Sequence, residues 1–303
     1  MSDRWWKLMI PEHKFGGKHT ELKLKIVKSY LDSYLITMRK SQFKNIYIDA
    51  FAGTGSRTQL QGDVPLFAGE QPQSIDVPGS VRLVLDIEDG FDEHIFIDKN
   101  PKHVQALNEL VKDYPKKVAK CIEGDANAIV TSICRKTNWK KSGGPWGTRA
   151  VLFLDPYGME VEWETLQAIA ATQAIDLWFL FPISGLYRQA AKNWSSVDDS
   201  KISALNKCLG TDEWRSVFYQ PKTQFGLFDQ TEELVREKDV QALEEYVKER
   251  LKTVFTAWVS DPIQLYGPTG AQLYSLFFTL SNPSPKAHAV ASGIVKHLKK
   301  TMR

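Results

Sequence analysis

Four aspartates fall at or just past the ends of successive apolar runs: Asp49, Asp98, Asp125 and Asp155. Residues 151–154, Val-Leu-Phe-Leu, read as a strand buried on both faces of a parallel sheet. An acid following such a strand lies at the carboxyl edge, where open α/β sheets bind their ligands. One acid in that position is as readily a helix cap. Four in chain order would ring a single crevice. After Asp49, residues 52–55 (Ala-Gly-Thr-Gly) form a turn whose glycines permit positive φ and close backbone approach to a ligand. After Asp155, Pro156 ends the strand because it has no N–H to donate, and Tyr157 follows with an aromatic face. The Asp155 carboxylate and the Pro156 carbonyl are both acceptors. Together they suit the N–H groups of an amine and the charge that develops on it as it reacts, with Tyr157 stacked against a flat ring or a cation.

Other chemistries fit poorly. The turn at 52–55 lacks the third glycine of the dinucleotide fingerprint, and no helical pattern begins directly after it. A pyrophosphate needs a helix N-terminus beside the turn, so NAD and ATP are disfavoured. There is no P-loop lysine, and Ser184-Gly185 is no nucleophile elbow. His13, His19, His94, His103, His288 and His297 show no metal-ligand spacing. Cys121, Cys134 and Cys208 form no C-x-x-C pair, so no metal is expected, and three reduced thiols point to a cytoplasmic chain. No apolar run approaches the roughly 18 residues of a membrane span, and residues 1–10 contain no secretory h-region, so no membrane contact is expected.

The net charge of +3 does not by itself announce a nucleic-acid binder. Its distribution is uneven. Residues 1–50 hold ten Lys/Arg against five Asp/Glu, residues 285–303 hold five against none, and residues 221–250 hold five against eight. Solvated helix faces account for this, as does a basic rim receiving an anionic substrate.

The elements that must position the acids alternate between strand and helix. Leu22, Ile26, Val27, Tyr30, Leu31, Tyr34, Leu35 and Met38 form one apolar stripe of a helix beginning near Thr20. Strands are predicted over 45–51, 94–98, 117–122, 151–154 and 175–181, with helices between them, and two further strands over 252–259 and 272–280 before a closing helix at 285–299. This alternation predicts a doubly wound α/β sheet. Residues 56–78, rich in Gly, Gln and Pro, read as a long functional loop. Residues 135–149 read as a loop in which Trp139 and Trp146, among basic residues, would stack on a substrate base. Arg188 and Lys192, leaving the fifth strand, are candidate phosphate contacts. The chain divides into an N-terminal arm and helix (1–44), a core (45–188), a helical insertion or lid (189–251), and the last two strands with the closing helix (252–303).

These motifs carry a resemblance. Asp49-x-Phe-Ala-Gly-x-Gly is similar to motif I of the class I S-adenosylmethionine-dependent methyltransferases. The segments Tyr-Ile-Asp-Ala-Phe-Ala-Gly (47–53), Phe-Leu-Asp-Pro-Tyr-Gly-Met (153–159) and Phe-Phe-Thr-Leu-Ser-Asn-Pro (277–283) resemble the three-Cys-motif partner (TcmP) family of methyltransferase-like proteins. The resemblance implies a mostly parallel seven-stranded Rossmann-like methyltransferase sheet with an antiparallel last strand. It implies S-adenosyl-L-methionine as cofactor, held by Asp49, Phe51, Ala52, Gly53 and Gly55, with Asp98 on the ribose and Asp125 and Ala126 near adenine. Asp155-Pro156-Tyr157 resembles the Asp-Pro-Pro-Tyr signature of amino-methyltransferases but lacks its second proline. Asp-Pro-Tyr-Gly is nearer to the Asp-Pro-Phe-Gly of tRNA guanine-N2 dimethyltransferases. Both groups methylate exocyclic amines of bases, so Asp155, Pro156 and Tyr157 are the expected catalytic residues and RNA or DNA the expected substrate, with Arg188, Trp139 and Trp146 contacting it. The alternatives are a catalytically silent cofactor-binding subunit serving a partner protein, and a methyltransferase of a peptide or small metabolite.

Overall fold

A computed structural model describes residues 18–61, 73–140, 146–225 and 230–301. The arm with Trp5, Trp6 and Phe15 lies outside them. The chain opens with helix α1 (Lys18–Met38), strand β1 (Lys44–Asp49), strands β2 (Ser56–Gln61) and β3 (Gln73–Pro78), and helix α2 (Ser80–Leu85). Next come β4 (Glu93–Asp98), α3 (Pro101–Lys112), β5 (Ala119–Glu123), α4 (Ala126–Lys136), β6 (Thr148–Leu154), α5 (Trp163–Ala171) and β7 (Ile175–Phe181). The last third contains α6 (Ile183–Gln189), α7 (Asp199–Leu209), α8 (Trp214–Phe218), β8 (Tyr219–Phe225), β9 (Gln230–Arg236) and α9 (Val240–Val254). It closes with β10 (Trp258–Val259), β11 (Ile263–Tyr266), β12 (Gln272–Leu280) and α10 (Pro285–Thr301).

The main sheet runs β10-β12-β7-β6-β1-β4-β5, with β11 also paired to β12. Strands β5, β4, β1, β6 and β7 are mutually parallel, and β12 is antiparallel to β7. This is the expected doubly wound Rossmann-like sheet with its reversed last strand, and the short β11 on β12 makes it eight-stranded where seven strands were expected. The chain winds outward from β1 through β4 and β5, then returns to β6 on the other side of β1. The strand order therefore reverses between β1 and β6, and a doubly wound sheet opens its ligand crevice at that point.

Period-two alternation sorts the strand residues between two cores. Ile46, Ile48, Leu152, Leu154 and Phe179 face α4, α5, α6, α7 and α9, while Tyr47, Val151, Phe153, Trp178 and Phe278 face α1, α2, α3 and α10. Helix α1 is fastened to the second face by more than its apolar stripe. The Tyr30 hydroxyl donates to Asp176 Oδ2 at 2.7 Å and the Tyr34 hydroxyl to Asn45 Oδ1 at 3.1 Å.

Three expectations need correction. Residues 56–78 are not an unstructured loop over their described part, because β2 and β3 pair antiparallel from Ser56↔Pro78 to Gln61↔Gln73. That pairing is made by backbone hydrogen bonds between mostly polar stretches, which leave no apolar pattern to read. Residues 189–251, read as a helical insertion or lid, also contain a hairpin of β8 and β9 that was not expected. The expected strand at 252–259 shrinks to β10, since α9 runs on to Val254 with Leu243, Val247 and Leu251 buried at helical spacing. The boundary drawn at 251 thus falls inside a helix of the main core.

Gly210 ends α7 with φ at 66°, and a Cβ there would stand 2.1 Å from the Trp163 ring on α5. Gly210→Ala combines left-handed strain with a clash against a large fixed side chain. It is expected to destabilise the fold by about 3 kcal/mol or more, seen as a fall in the urea midpoint. An unchanged midpoint would mean that the packing of α5 on α7 is looser than described.

Candidate active site

The site is organised by the turn that leaves β1 at the reversal point. Asp49 pairs in register with Phe153 of β6 and is fully buried. Its carboxylate accepts from Ser80 Oγ at 2.6 Å, at the start of α2, and from the Phe51 N–H at 3.3 Å. With both oxygens engaged beneath the surface, Asp49 shapes the turn and lines neither adjoining cavity. Gly55 has φ at 76°, and a Cβ there would lie 2.5 Å from the Leu110 side chain. The turn is therefore pressed against α3 so closely that no side chain fits. Asp98, at the end of β4, ties the turn down from the other side. Its Oδ2 accepts from the Gly53 N–H at 2.9 Å, and its Oδ1 accepts from the Asn100 N–H at 2.8 Å and lies 3.1 Å from His103 Nδ1.

Two cavities open on this edge and share the walls Phe51 and Tyr157. The first, about 330 Å³, is lined by Asp98, Gly124, Asp125, Ala126 and Met159. Asp125 also caps α4, accepting from the Ala128 N–H at 2.9 Å. The second, about 380 Å³, is lined by Ala52, Gly53, Gly55, Ser80, Asp155 and Pro156, and by Thr20 and Lys23 of α1. Tyr157 stands between them, 70% exposed. Asp98, Asp125, Ala126, Phe51, Ala52, Gly53, Gly55, Asp155, Pro156 and Tyr157 are thus brought together.

Lys23 was not anticipated. It is 7% exposed and forms an ion pair with Asp155 Oδ2. The signal was present: Lys23 falls three and four residues before Ile26 and Val27, in phase with the apolar stripe of α1, where a lysine has no reason to be unless it meets a charge. Tyr274 of β12 was also overlooked. Burial raises its phenol above the ordinary value, Asp155 raises it further and Arg188 opposes the shift, so it stands near both charges.

Trp139 and Trp146 are corrections. Trp139 is buried in the core and its indole donates to the Cys134 carbonyl at 2.9 Å. Trp146 packs edge-on against Phe43, just before β1. Both precede β6, so they lie at the amino edge, separated from Asp155 by the seven-residue strand, about 20 Å. Part of that loop, 141–145, is outside the described residues. Arg188 leaves β7 on the same edge as Asp155, exposed on α6, and lines neither cavity.

Burial pushes the Asp49 carboxyl up to about 7, the Ser80 hydrogen bond opposes this and the Asp155 charge adds to it. The acid thus holds its proton more tightly folded than unfolded. As pH rises from about 4 to about 7 the unfolded chain releases a proton that the fold retains, so stability falls across that window. Asp49→Asn keeps the shape and both partners. The variant is expected to match the wild type in urea denaturation near pH 4 and to exceed it by a few kcal/mol at pH 8. Equal stability at both pH values would remove the burial argument.

No described helix is long and apolar enough to cross a membrane. Among the described residues, no group of three His, Cys, Asp or Glu side chains is arranged to hold a metal.

No family model and no curated protein matches the sequence. Solved structures do resemble it. Protein LPL1258 from Legionella pneumophila str. Philadelphia 1 is 12% identical with a TM-score of 0.52, covering 94% of this chain and 93% of that one. An S-adenosylmethionine-dependent methyltransferase from Clostridium acetobutylicum ATCC 824 is 12% identical over 84% of this chain and 91% of its own, with a TM-score of 0.36. The N-terminal domain of EvdMO1, solved with SAH and D-fucose, is 7% identical over 88% and 85%, with a TM-score of 0.40. At 12% identity the likeness to LPL1258 is one of fold.

Proposed function

We propose that this chain is an S-adenosylmethionine-dependent methyltransferase that modifies an exocyclic amine of a nucleobase in RNA or DNA. The observation that carries the reading is the pair of adjoining cavities at the β1/β6 reversal, with Asp98 in one, Asp155 in the other and Phe51 and Tyr157 common to both. A ligand with a nucleoside half and an amino-acid half joined at one atom fits two such spaces. Asp98, Asp125 and Ala126 would hold the adenosine half, and the backbone of 52–55 the methionine half.

The bound cofactor supplies an electrophilic methyl group on a sulfonium. The chain's own residues do the rest. An exocyclic amine is a weak nucleophile because its lone pair is conjugated with the ring. Asp155 and the Pro156 carbonyl would accept its two N–H groups, orient the nitrogen and stabilise the positive charge that grows on it. Tyr157, exposed between the cavities, would stack on the base at a gain of about 0.5–2 kcal/mol where it also faces a cation. A target base within a duplex would have to be flipped out to reach Asp155.

The test is transfer of labelled methyl from S-adenosylmethionine to tRNA, rRNA and single-stranded DNA, and to cell extract with and without nuclease. Label that enters nucleic acid and vanishes on nuclease treatment supports the reading. Label that persists in protein or small molecules after nuclease contradicts the substrate class, and no label anywhere contradicts the enzyme.

A further inference from the structure

We propose that Lys23 is a positioning residue that locks the Asp155 carboxylate and makes the acceptor pocket select a neutral nitrogen over an ammonium; this rests on the methyl-transfer reading above. The lysine reaches Asp155 across 132 residues of sequence from a helix fixed to the sheet by Tyr30, Tyr34 and its apolar stripe. Stability does not account for it. A buried ion pair in place of well-packed apolar groups is commonly neutral or destabilising, because two charges must leave water. A methionine at the same point of the stripe would serve the core as well.

The pair has two consequences for an incoming acceptor. Lys23 takes Oδ2, which leaves Oδ1 to accept an N–H, so one oxygen is anchored while the other is presented. The pair is also neutral as a whole. A substrate ammonium would gain little from Asp155 and would meet a second ammonium, whereas an amine conjugated with a ring brings no charge. In the transfer, the nitrogen lone pair forms the N–C bond, the S–C bond breaks with its electrons going to sulfur, and the nitrogen's proton passes to Asp155 Oδ1 and then to solvent. The charged and titratable groups around Asp155 are Lys23 on α1, Tyr47 and Asp49 on β1, His103 on α3, Tyr274 on β12 and, beyond it, Arg188 on α6. Removing the lysine leaves Asp155 beside the Asp49 carboxyl without its cation.

The experiment compares wild type, Lys23→Met and Lys23→Arg for methyl transfer to poly(A), poly(C), poly(G) and poly-L-lysine, with calorimetry of S-adenosylmethionine and thermal melts alongside. Lys23→Met is expected to lose about 100-fold in kcat with cofactor Kd within about threefold. Lys23→Arg should recover kcat to within about tenfold of wild type. Poly-L-lysine should accept no label. Wild-type transfer that Lys23→Met leaves unchanged in kcat overturns the role of Lys23 alone, whereas preferred labelling of poly-L-lysine overturns both the selection of a neutral nitrogen and the nucleobase reading. A Tm lower by more than about 5 °C in Lys23→Met, with Lys23→Arg no more active than it, marks the lysine as structural. A wild-type protein that labels no probe overturns the methyl-transfer reading and Lys23 with it.

Discussion

Asp155→Ala is expected to lower methyl transfer by at least about 10³-fold while cofactor affinity stays within about threefold. The carboxylate lines the second cavity and no part of the first. On the proposed reading the methionine half rests on the 52–55 backbone rather than on Asp155, so removing the carboxylate strips the acceptor end and leaves the cofactor's own contacts in place. It also strands Lys23, which is 7% exposed and loses its partner. An uncompensated buried charge is costly, so Asp155→Asn is the companion variant: it keeps the shape and one acceptor oxygen and removes only the charge. Asp155→Asn should lose nearly as much in kcat as alanine if charge stabilisation dominates, and much less if orientation of the amine suffices. Single-turnover transfer beside calorimetry separates these. A loss of cofactor affinity with residual turnover would assign Asp155 to the wrong half of the site.

Asp98→Ala should give the opposite pattern, with cofactor affinity falling about 100-fold and turnover at saturation little changed. The carboxylate lies under the first cavity and holds the Gly53 and Asn100 N–H groups at once. Each buried donor left without a partner costs about 1–3 kcal/mol, and the turn that shapes the second cavity loses its tie to β4. Calorimetric titration of the variant measures the effect directly. A wild-type Kd would mean that neither the turn nor a ribose depends on Asp98.

Much of this arrangement was legible because acids at strand ends can be counted from the chain. Apolar runs stopping at Asp49, Asp98 and Asp155 give both the strands and the edge on which their ligand lies. What failed has physical causes. Residues 135–149 carry tryptophans and basic side chains, the composition of a stacking surface, yet chain direction alone puts them on the far edge: a segment entering a parallel strand lies at its amino end. Trp139 then goes inward because its indole can donate to the Cys134 carbonyl. The β2–β3 and β8–β9 hairpins were invisible because polar stretches pair through backbone groups, which leave no side-chain period. Lys23 could have been found by asking why a lysine interrupts an apolar stripe. Its partner could not, since nothing local joins it to Asp155.

The central claim is that the two cavities hold one S-adenosylmethionine across the Phe51 and Tyr157 walls. Calorimetric titration of the full chain with S-adenosylmethionine, repeated in the presence of adenosine, tests it most directly. The expected result is one site per chain with a Kd between about 1 and 100 μM, weakened by adenosine competing for the Asp98 cavity. Absence of binding up to about 1 mM, or binding that adenosine leaves unchanged, would contradict it.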